Sequence, residues 1–368
     1  MAGTINVLLD DGMQISRGTG IGKYSEHLGR ALAAVDGVHV DYLGYEQRGD
    51  RKSSRLAYLR YINSREFIDR ASEYDLCIFT NYAMPRKRLA AKVAVTVHDL
   101  AVYDCPDTLP RMYLPYGRAM MHNSMKHADR IVTVSKTMAE AIKKRFPKQA
   151  GKVAYAWPGV YDHVRVGAQG APYDDDKLAQ AAASPFFLMV GTVEKRKNVE
   201  FVIRAFAESK RRDGSRGDCK LILAGRPGFG FEDIERCAKD SGFADDIVFT
   251  GYVSDNDCAN LYRDALALVF PSVYEGFGSI QNECMAMGLP IILSDIPTNR
   301  EVSRDYGLFF ELGDVAGLAD AFGQVQELRS SDNGLVALAK QYLDDFSWRK
   351  VASSYLNCLD TGRNFLHE

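Results

Sequence analysis

The chain lacks most of the features that mark disulfide-stapled, membrane-spanning or nucleic-acid-binding proteins. It has no Cys-x-x-Cys pair, and its seven cysteines (77, 105, 219, 237, 258, 284 and 358) are scattered and odd in number. That spacing disfavours a disulfide framework or a zinc ribbon, and the expected compartment is a reducing cytoplasm. No run approaches the roughly 18–20 apolar residues of a transmembrane helix. Met1–Asp11 carries neither a basic segment nor an apolar stretch of signal length. The expected protein is therefore soluble or peripheral. Charge of one sign is also missing: the net charge is −2, which argues against a dedicated nucleic-acid binder. Prolines number only 12, with no low-complexity tract and no short repeat.

What is present is globular composition, 46% hydrophobic and 26% charged over 368 residues. That length favours two domains, each able to build a core without disulfides or a structural metal. The small net charge hides an asymmetry. Residues 1–165 hold 25 Lys and Arg against 17 Asp and Glu, net +8, and the remainder holds 21 against 31, net −10. A basic half joined to an acidic half suggests surfaces with different partners.

Short apolar runs alternate with amphipathic segments, the pattern of β-α-β units on parallel sheets. In the first half, strands are expected at Asn6–Leu9, Val38–Leu43, Leu76–Thr80, Val93–His98, Arg130–Ser135 and Val153–Ala156. Helices are expected at Tyr24–Ala34, Tyr113–Ala128 and Lys136–Phe146. Gly159–Asp176 breaks the rhythm and reads as a linker into a short helix, whose N-cap explains Asp174-Asp175-Asp176 better than a metal-binding D-x-D. The second half repeats the scheme, with strands at Phe186–Gly191, Lys220–Ala224, Ile247–Thr250, Ala267–Val269, Pro290–Ser294 and Gly307–Phe310. Its helices fit Asn198–Lys210, Glu232–Ser241, Ser254–Asp264, Ser279–Met287 and Val315–Leu328, and Trp348–Leu359 closes the chain. The expected fold class is α/β, with two Rossmann-like doubly wound domains. Residues 1–165 with the returning segment 346–368 form one domain and 166–345 the other, with a ligand cleft between them.

Several motifs fall at strand ends. Gly18-Thr19-Gly20-Ile21-Gly22-Lys23-Tyr24 is a glycine cluster where backbone N–H groups can approach a phosphate or a sugar. It fits neither a P-loop nor G-x-G-x-x-G, although Asp41 about 20 residues on keeps a nicotinamide cofactor as an alternative. His98 closes an apolar run and faces the ligand end of the sheet. Arg196 and Lys197, in Glu194-Lys195-Arg196-Lys197-Asn198, place two cations at a strand–helix turn, suited to a diphosphate. The strongest element is Tyr274-Glu275-Gly276-Phe277-Gly278-Ser279-Ile280-Gln281-Asn282-Glu283. Gly276 and Gly278 permit a tight turn, so that the N–H groups of residues 278–280 meet an anion on the helix dipole. Glu275 and Glu283 flank that turn, one able to hold sugar hydroxyls and the other a ribose diol. Glu283, inside an apolar helix, needs a partner.

Taken together, these motifs resemble the retaining glycosyltransferases of the GT-B type, family 4, over nearly the whole chain. The family's E-x7-E pattern falls on Glu275 and Glu283. Its glycine-rich acceptor-side loop falls on Gly20, Ile21, Gly22, Lys23 and Tyr24, its strand-end histidine on His98, and its basic pair on Arg196 and Lys197. Phe249–Ser254, with Tyr252 and Val253, resembles the segment that holds the nucleobase. Ser279-Ile280 and Met287-Gly288 depart from the family's usual residues at the donor phosphates.

The resemblance implies catalytic roles for Glu275, Arg196, Lys197 and His98. It implies donor contacts for Glu283, Gly276, Phe277, Gly278, Ser279, Ile280, Tyr252, Val253 and Gly191. It also implies a nucleotide-sugar substrate, no cofactor and no metal. Val97-His98-Asp99-Leu100 followed by Cys105-Pro106…Pro110 resembles mannosyltransferases of bacterial O-antigens and related polysaccharides. The expected donor is GDP-mannose, with UDP-glucose or another UDP or GDP sugar as the alternative. The acceptor is a saccharide or polyprenyl-linked saccharide. Arg48, Arg51, Lys52, Arg55, Arg60, Arg65, Arg70, Arg86, Lys87 and Arg88 read as a solvated face or as contacts to an anionic membrane surface. An NAD-dependent oxidoreductase and a non-catalytic sugar-binding relative are the alternatives from other classes.

Overall fold

A computed structural model describes residues 4–11, 20–43, 51–162, 164, 171–212, 218–330, 333–359 and 365, with the side chains of 51–55, 326–330 and 333 left aside. The chain divides into two compact units. One comprises Met1–Asp104, Arg111–Gly159 and Phe346–Glu368, the other Cys105–Pro110 and Val160–Asp345.

The first unit is built on β1 (Ile5–Leu9), β2 (Val38–Tyr42), β3 (Leu76–Phe79), β4 (Lys92–Val97), β5 (Arg130–Thr133) and β6 (Val153–Tyr155), in the order β2-β1-β3-β4-β5-β6. Every pairing is parallel, as in Val7 opposite both Val40 and Leu76. A parallel sheet covered on both faces demands continuous apolar strands. β3 obeys with four buried residues in a row, and β4 buries Val93–Val97. The C-terminal helix Trp348–Leu356 belongs to this unit. Its Tyr355 hydroxyl hydrogen-bonds the Tyr24 hydroxyl (3.0 Å) and Thr96 Oγ1 (2.6 Å). Burial raises the Tyr355 pKa to about 12, so the phenol stays protonated in that chain of hydroxyls.

The second unit carries β7 (Phe186–Val190), β8 (Lys220–Ala224), β9 (Ile247–Gly251), β10 (Ala267–Phe270), β11 (Ile291–Ser294) and β12 (Gly307–Phe310), ordered β12-β11-β10-β7-β8-β9 and again all parallel. The amphipathic helix Val199–Arg212 packs on it with Val325, Phe322 and Leu318 of the helix Val315–Ser330. Phe187 meets Phe322 at 4.4 Å, and Phe201 stacks on Phe310 at 5.6 Å. Each such ring removes on the order of 150–250 Å² from water.

Two expectations change. Gly20, Ile21, Gly22, Lys23 and Tyr24 do not form a loop: they are the first turn of the helix Gly20–Ala33. Glycine there costs about 1 kcal/mol relative to alanine, but the buried stripe Tyr24, Leu28 and Leu32 offsets this and extends the helix. Gly18 and Thr19, from the same cluster, lie outside the described residues. The helices Arg51–Ile62, Arg65–Ala71, Pro297–Ser303 and Asn333–Leu343 add to the expected set. The linker does lead into a short helix, Asp176–Ala182, and Asp175 caps it by accepting from the N–H groups of Lys177 and Leu178.

Candidate active site

The order of the second sheet reverses between β7 and β10. At such a point the connections leave toward opposite faces and open a crevice beyond the carboxyl ends of the strands. Gly191 follows β7, and Pro271–Gly278 follows β10. Gly191 has φ +125°, and a Cβ there would lie 3.8 Å from Lys197 Cε and 3.9 Å from Ile280 Cδ1. The motifs on these two loops therefore converge.

Arg196 and Lys197 sit on a single turn, Lys195–Lys197, ended by Asn198 in the left-handed region at φ 54°, which asparagine tolerates. Lys197 Nζ donates to Glu275 Oε1 at 2.6 Å, and Arg196 Nη1 lies 3.2 Å from the same oxygen. Arg196 also donates to the Tyr274 carbonyl and to Glu194 Oε1, both at 3.0 Å. Glu275 is 8% exposed. Burial pushes its pKa up, but Lys197 and Arg196 outweigh burial and hold the carboxyl at about 2. Glu275 is thus a hydrogen-bond acceptor and not a proton donor at neutral pH.

The turn carrying Glu275 is fixed from behind. Gly278 has φ +78°, and a Cβ would fall 2.6 Å from Gln281 Nε2 and 3.0 Å from the Phe270 ring, so only glycine fits. Buried Gln281 donates to the Phe277 carbonyl and to Asn299 Oδ1 and accepts from Ser303 Oγ; Asn299 in turn donates to Ser294. Thr298 Oγ1 donates to the Glu275 carbonyl at 2.9 Å. The helix Ile280–Met287 begins without a side-chain cap. Among the described residues, no acceptor meets the N–H groups of Gly278, Ser279 and Ile280. Such N–H groups and the helix dipole form an anion site. Gly276 and Phe277 are buried beside Glu275.

Glu283 lies inside this helix, 5% exposed, and accepts from Tyr262 Oη at 2.7 Å. Burial and then neighbouring charge, Glu283 included, push up the pKa values of both Tyr161 and Tyr262, so two protonated phenols lie beside the carboxylate. The partner that a buried glutamate requires is thus supplied by the protein. Tyr252 and Val253 follow β9; Tyr252 is half-exposed, with the Arg226 guanidinium 4.5 Å over its ring. A cavity of about 570 Å³ lies elsewhere, between the helices Val199–Arg212 and Phe231–Asp240. Its Arg204 pairs with Glu200 and its Arg236 with Asp233, so its charges are matched internally.

In the first unit, His98 follows β4. Its Nε2 lies 2.9 Å from the Thr80 carbonyl, and Tyr24 packs edge-on at 4.9 Å. A carbonyl only accepts, so Nε2 carries the proton. Burial lowers the pKa, opposed by the bond to Thr80 and by Asp99, which leaves a neutral ring at neutral pH with Nδ1 as an acceptor. Tyr24 is 2% exposed and turned into the core. Of the expected basic face, Arg48 and the side chains of Arg51, Lys52 and Arg55 lie outside the described residues, while Arg86, Lys87 and Arg88 are exposed. Among the described residues, no helix is long and apolar enough to cross a membrane.

Sequence reasoning missed Tyr262, Glu194, Arg226 and the Gln281–Asn299–Ser303 network. Arg226 was open to discovery, since Gly225-Arg226-Pro227 follows β8 as Arg196 follows β7. The others are joined only by folding.

Residues 18–163 match the family model described as Glycosyltransferase Family 4, and residues 172–341 match the model Glycosyl transferases group 1. The chain belongs to the family 4 glycosyltransferases, on the GT-B architecture of two Rossmann-like domains. It is 27% identical over 371 residues to the O-antigen chain mannosyltransferase B of Escherichia coli, covering 91% of this chain and 90% of that protein. It is 28% identical over 335 residues to the O-antigen chain mannosyltransferase RfbU of Salmonella typhimurium, covering 84% and 88%. Among solved structures, Anabaena HepE in complex with UDP and glucose superposes with a TM-score of 0.68 at 16% identity, over 96% of this chain and 100% of that one. Membership in this family sets aside the oxidoreductase reading.

Proposed function

We propose that the enzyme transfers mannose from GDP-mannose, with retention of anomeric configuration, to a glycan or polyprenyl-linked saccharide in cell-surface polysaccharide synthesis. The observation that carries this reading is the Glu275–Lys197–Arg196 cluster beside the N–H groups of Gly278, Ser279 and Ile280. The mannosyl and O-antigen parts are supported by the names of the two bacterial relatives.

The acceptor hydroxyl oxygen forms a bond to the anomeric carbon as the bond to the diphosphate oxygen breaks. The electron pair leaves with the diphosphate, and the hydroxyl proton passes to the departing phosphate on the same face. Negative charge grows on the leaving group, and Arg196, Lys197 and the helix N–H groups are already oriented to meet it, without a metal in this role. Glu275 is ionised, so it accepts from the sugar hydroxyls and holds the two cations in place. Glu283 takes the ribose diol, and the Arg226–Tyr252 stack provides a flat surface for the base. His98 accepts a hydrogen bond at Nδ1 from a donor or acceptor hydroxyl and orients it, without taking the proton. In this reading the protein is cytoplasmic, peripheral on the inner face of the membrane, and reaches anionic lipid through its basic residues.

A thermal-shift panel of GDP, UDP, ADP and their sugars tests the donor. Selective stabilisation by GDP and GDP-mannose is expected; selective stabilisation by UDP reassigns the base. The anomeric proton coupling in the product, read by NMR, tests retention.

A further inference from the structure

The chain leaves the first unit after Gly159 and returns to it at Phe346. It holds two tryptophans, Trp157 and Trp348, each two residues from one of these passages, and the transfer reaction gives neither a role. Both are half-buried. Trp157 packs on Phe346 with ring centroids 5.9 Å apart, which brings the two passages together. Trp348 opens the helix Trp348–Leu356, whose N-cap is Ser347, so helix initiation by itself places no demand for an indole at 348.

The Trp348 indole touches the first passage directly. A Cβ at Gly159 would lie 2.8 Å from its Nε1 and closer still to its Cδ1. Gly159 is buried and its φ lies outside the left-handed region, so it is the indole, not the backbone, that excludes a side chain there. The same indole packs on Tyr24 at 5.3 Å and on His27 at 5.3 Å, both of the helix Gly20–Ala33. Tyr24 meets His98 edge-on at 4.9 Å and 87°.

His98 follows β4, one strand beyond the reversal of the first sheet between β1 and β3. Its Nε2 is held by the Thr80 carbonyl; Thr80 Oγ1 accepts from Ser25 Oγ at 2.6 Å and donates to the Asp10 carbonyl at 3.2 Å. That bond fixes one atom of the imidazole and leaves the ring able to tilt about it, and the edge-on Tyr24 removes this freedom. The tilt decides where Nδ1 lies, the atom that meets a hydroxyl in the proposed reaction. Tyr24 has little room of its own: it is buried, and its hydroxyl is tied through Tyr355 to Thr96 of β4. A close-packed interior passes a displacement on instead of absorbing it.

We propose that Trp348 is a positioning residue for His98, acting through Tyr24, and that it ties the tilt of the His98 ring to the chain passages at Gly159 and Phe346. The proposal rests on the orienting role given to His98 and adds the residue that sets it.

A double-mutant cycle on the full chain tests it, with Gly159→Ala, Trp348→Leu and the two combined. Alanine suits the backbone at 159, and its methyl group displaces the indole; leucine removes the indole altogether. Cooperative thermal unfolding checks that each variant is folded. NMR of isotope-labelled histidine reports the ring, because the neighbouring Tyr24 ring shifts the His98 signals, which are assigned by their loss in His98→Gln. The expected result is displaced His98 signals in both single variants, with those of His122 unchanged. The kcat for transfer from the proposed donor should fall about tenfold, with its KM within about twofold of wild type. In the combined variant the alanine adds nothing to Trp348→Leu, because the group it displaces is gone. His98 signals that stay in place while those of His27 move overturn the proposal. Losses that add in the combined variant also overturn it, since they mark independent structural effects. Displaced His98 signals with unaltered transfer instead remove the role given to His98 in the reaction and leave its coupling to Trp348 standing.

Discussion

At the switch point of the second sheet the side chains are dominated by cations, Arg196 and Lys197, held on Glu275 and Glu194. At that of the first sheet they are acceptors and hydroxyls: Asp10, neutral His98, Thr80 and Ser25. The two units have the same architecture of six parallel strands, so the topology dictates where a ligand binds and leaves open which ligand it is. The difference teaches that the chemistry is written in the short segments that follow the central strands, Asp10, Thr80 and His98 directly after theirs and Arg196, Lys197 and Glu275 five to seven residues on. Cations and helix N–H groups match a leaving diphosphate, whereas acceptor groups match hydroxyls. The rigidity behind the cationic site has a further use. Gln281, Asn299 and Ser303 are fully buried and mutually hydrogen-bonded, so the turn at Gly278 is in place before any ligand arrives.

Removing a cation strains this contrast most. Lys197→Ala leaves Glu275 buried with Arg196 alone, and transfer from the proposed donor, GDP-mannose, is expected to fall by about 10³-fold. Stability should fall by about 3 kcal/mol in urea unfolding. Activity within a fewfold of wild type would show that the cluster is not the leaving-group clamp.

The next effect is on acid stability. The folded-state pKa of Glu275, about 2, lies below its ordinary value of 4.5. Its contribution is complete above pH 4.5 and is lost as pH falls toward 2, on the order of 3 kcal/mol. Urea unfolding from pH 6 to 2 should show that decline in the wild type, and Glu275→Gln should flatten it. An identical acid limb in both would place the acid sensitivity elsewhere.

Glu283→Gln sharpens the division of labour proposed for the second unit. It keeps the side-chain shape and a carbonyl to accept from Tyr262 but removes the charge. The KM for GDP-mannose should rise about tenfold with kcat little changed. A kcat loss larger than the KM change would move Glu283 from donor binding to the chemical step.

Tyr24→Phe gives the smallest change. It deletes the hydroxyl bonded to Tyr355 and should cost about 1 kcal/mol of thermal stability, with the GDP-induced shift unaltered. A large loss of transfer with unchanged stability would return Tyr24 to a ligand-contacting role.

The strands were legible because each is a short apolar run in a sheet buried on both faces. Lys220–Ala224 and Gly307–Phe310 have the expected bounds, and most others shift by one or two residues. The helix Arg51–Ile62 was not legible: Arg51-Lys52-Ser53-Ser54-Arg55 reads as a solvated charge run and has no strong apolar stripe. Pro297–Ser303 is too short to show a period. Gly20–Tyr24 was misread as a loop because glycine spacing signals turns, while the buried stripe that makes it helical lies further along. Within the candidate site of the second unit the glycines, the two glutamates and the basic pair stood out, since each is a residue type whose presence near a strand end needs a reason. Tyr262 and Asn299 did not, because nothing local distinguishes them from other buried polar residues.

The sequence alone determined the alternation of strand and helix, the two-domain organisation it predicts, and the family. Local composition and spacing suffice for these, because period, turn residues and motifs are properties of neighbouring positions. Only the tertiary structure decided that Lys197 and Arg196, 78 and 79 residues before Glu275 in the chain, meet at one of its carboxylate oxygens. It also decided that Glu283 is satisfied by Tyr262, and that Asp10 and His98 hang from the same threonine. Those facts depend on which strands become neighbours at a reversal of sheet order, a long-range pairing that no local pattern encodes.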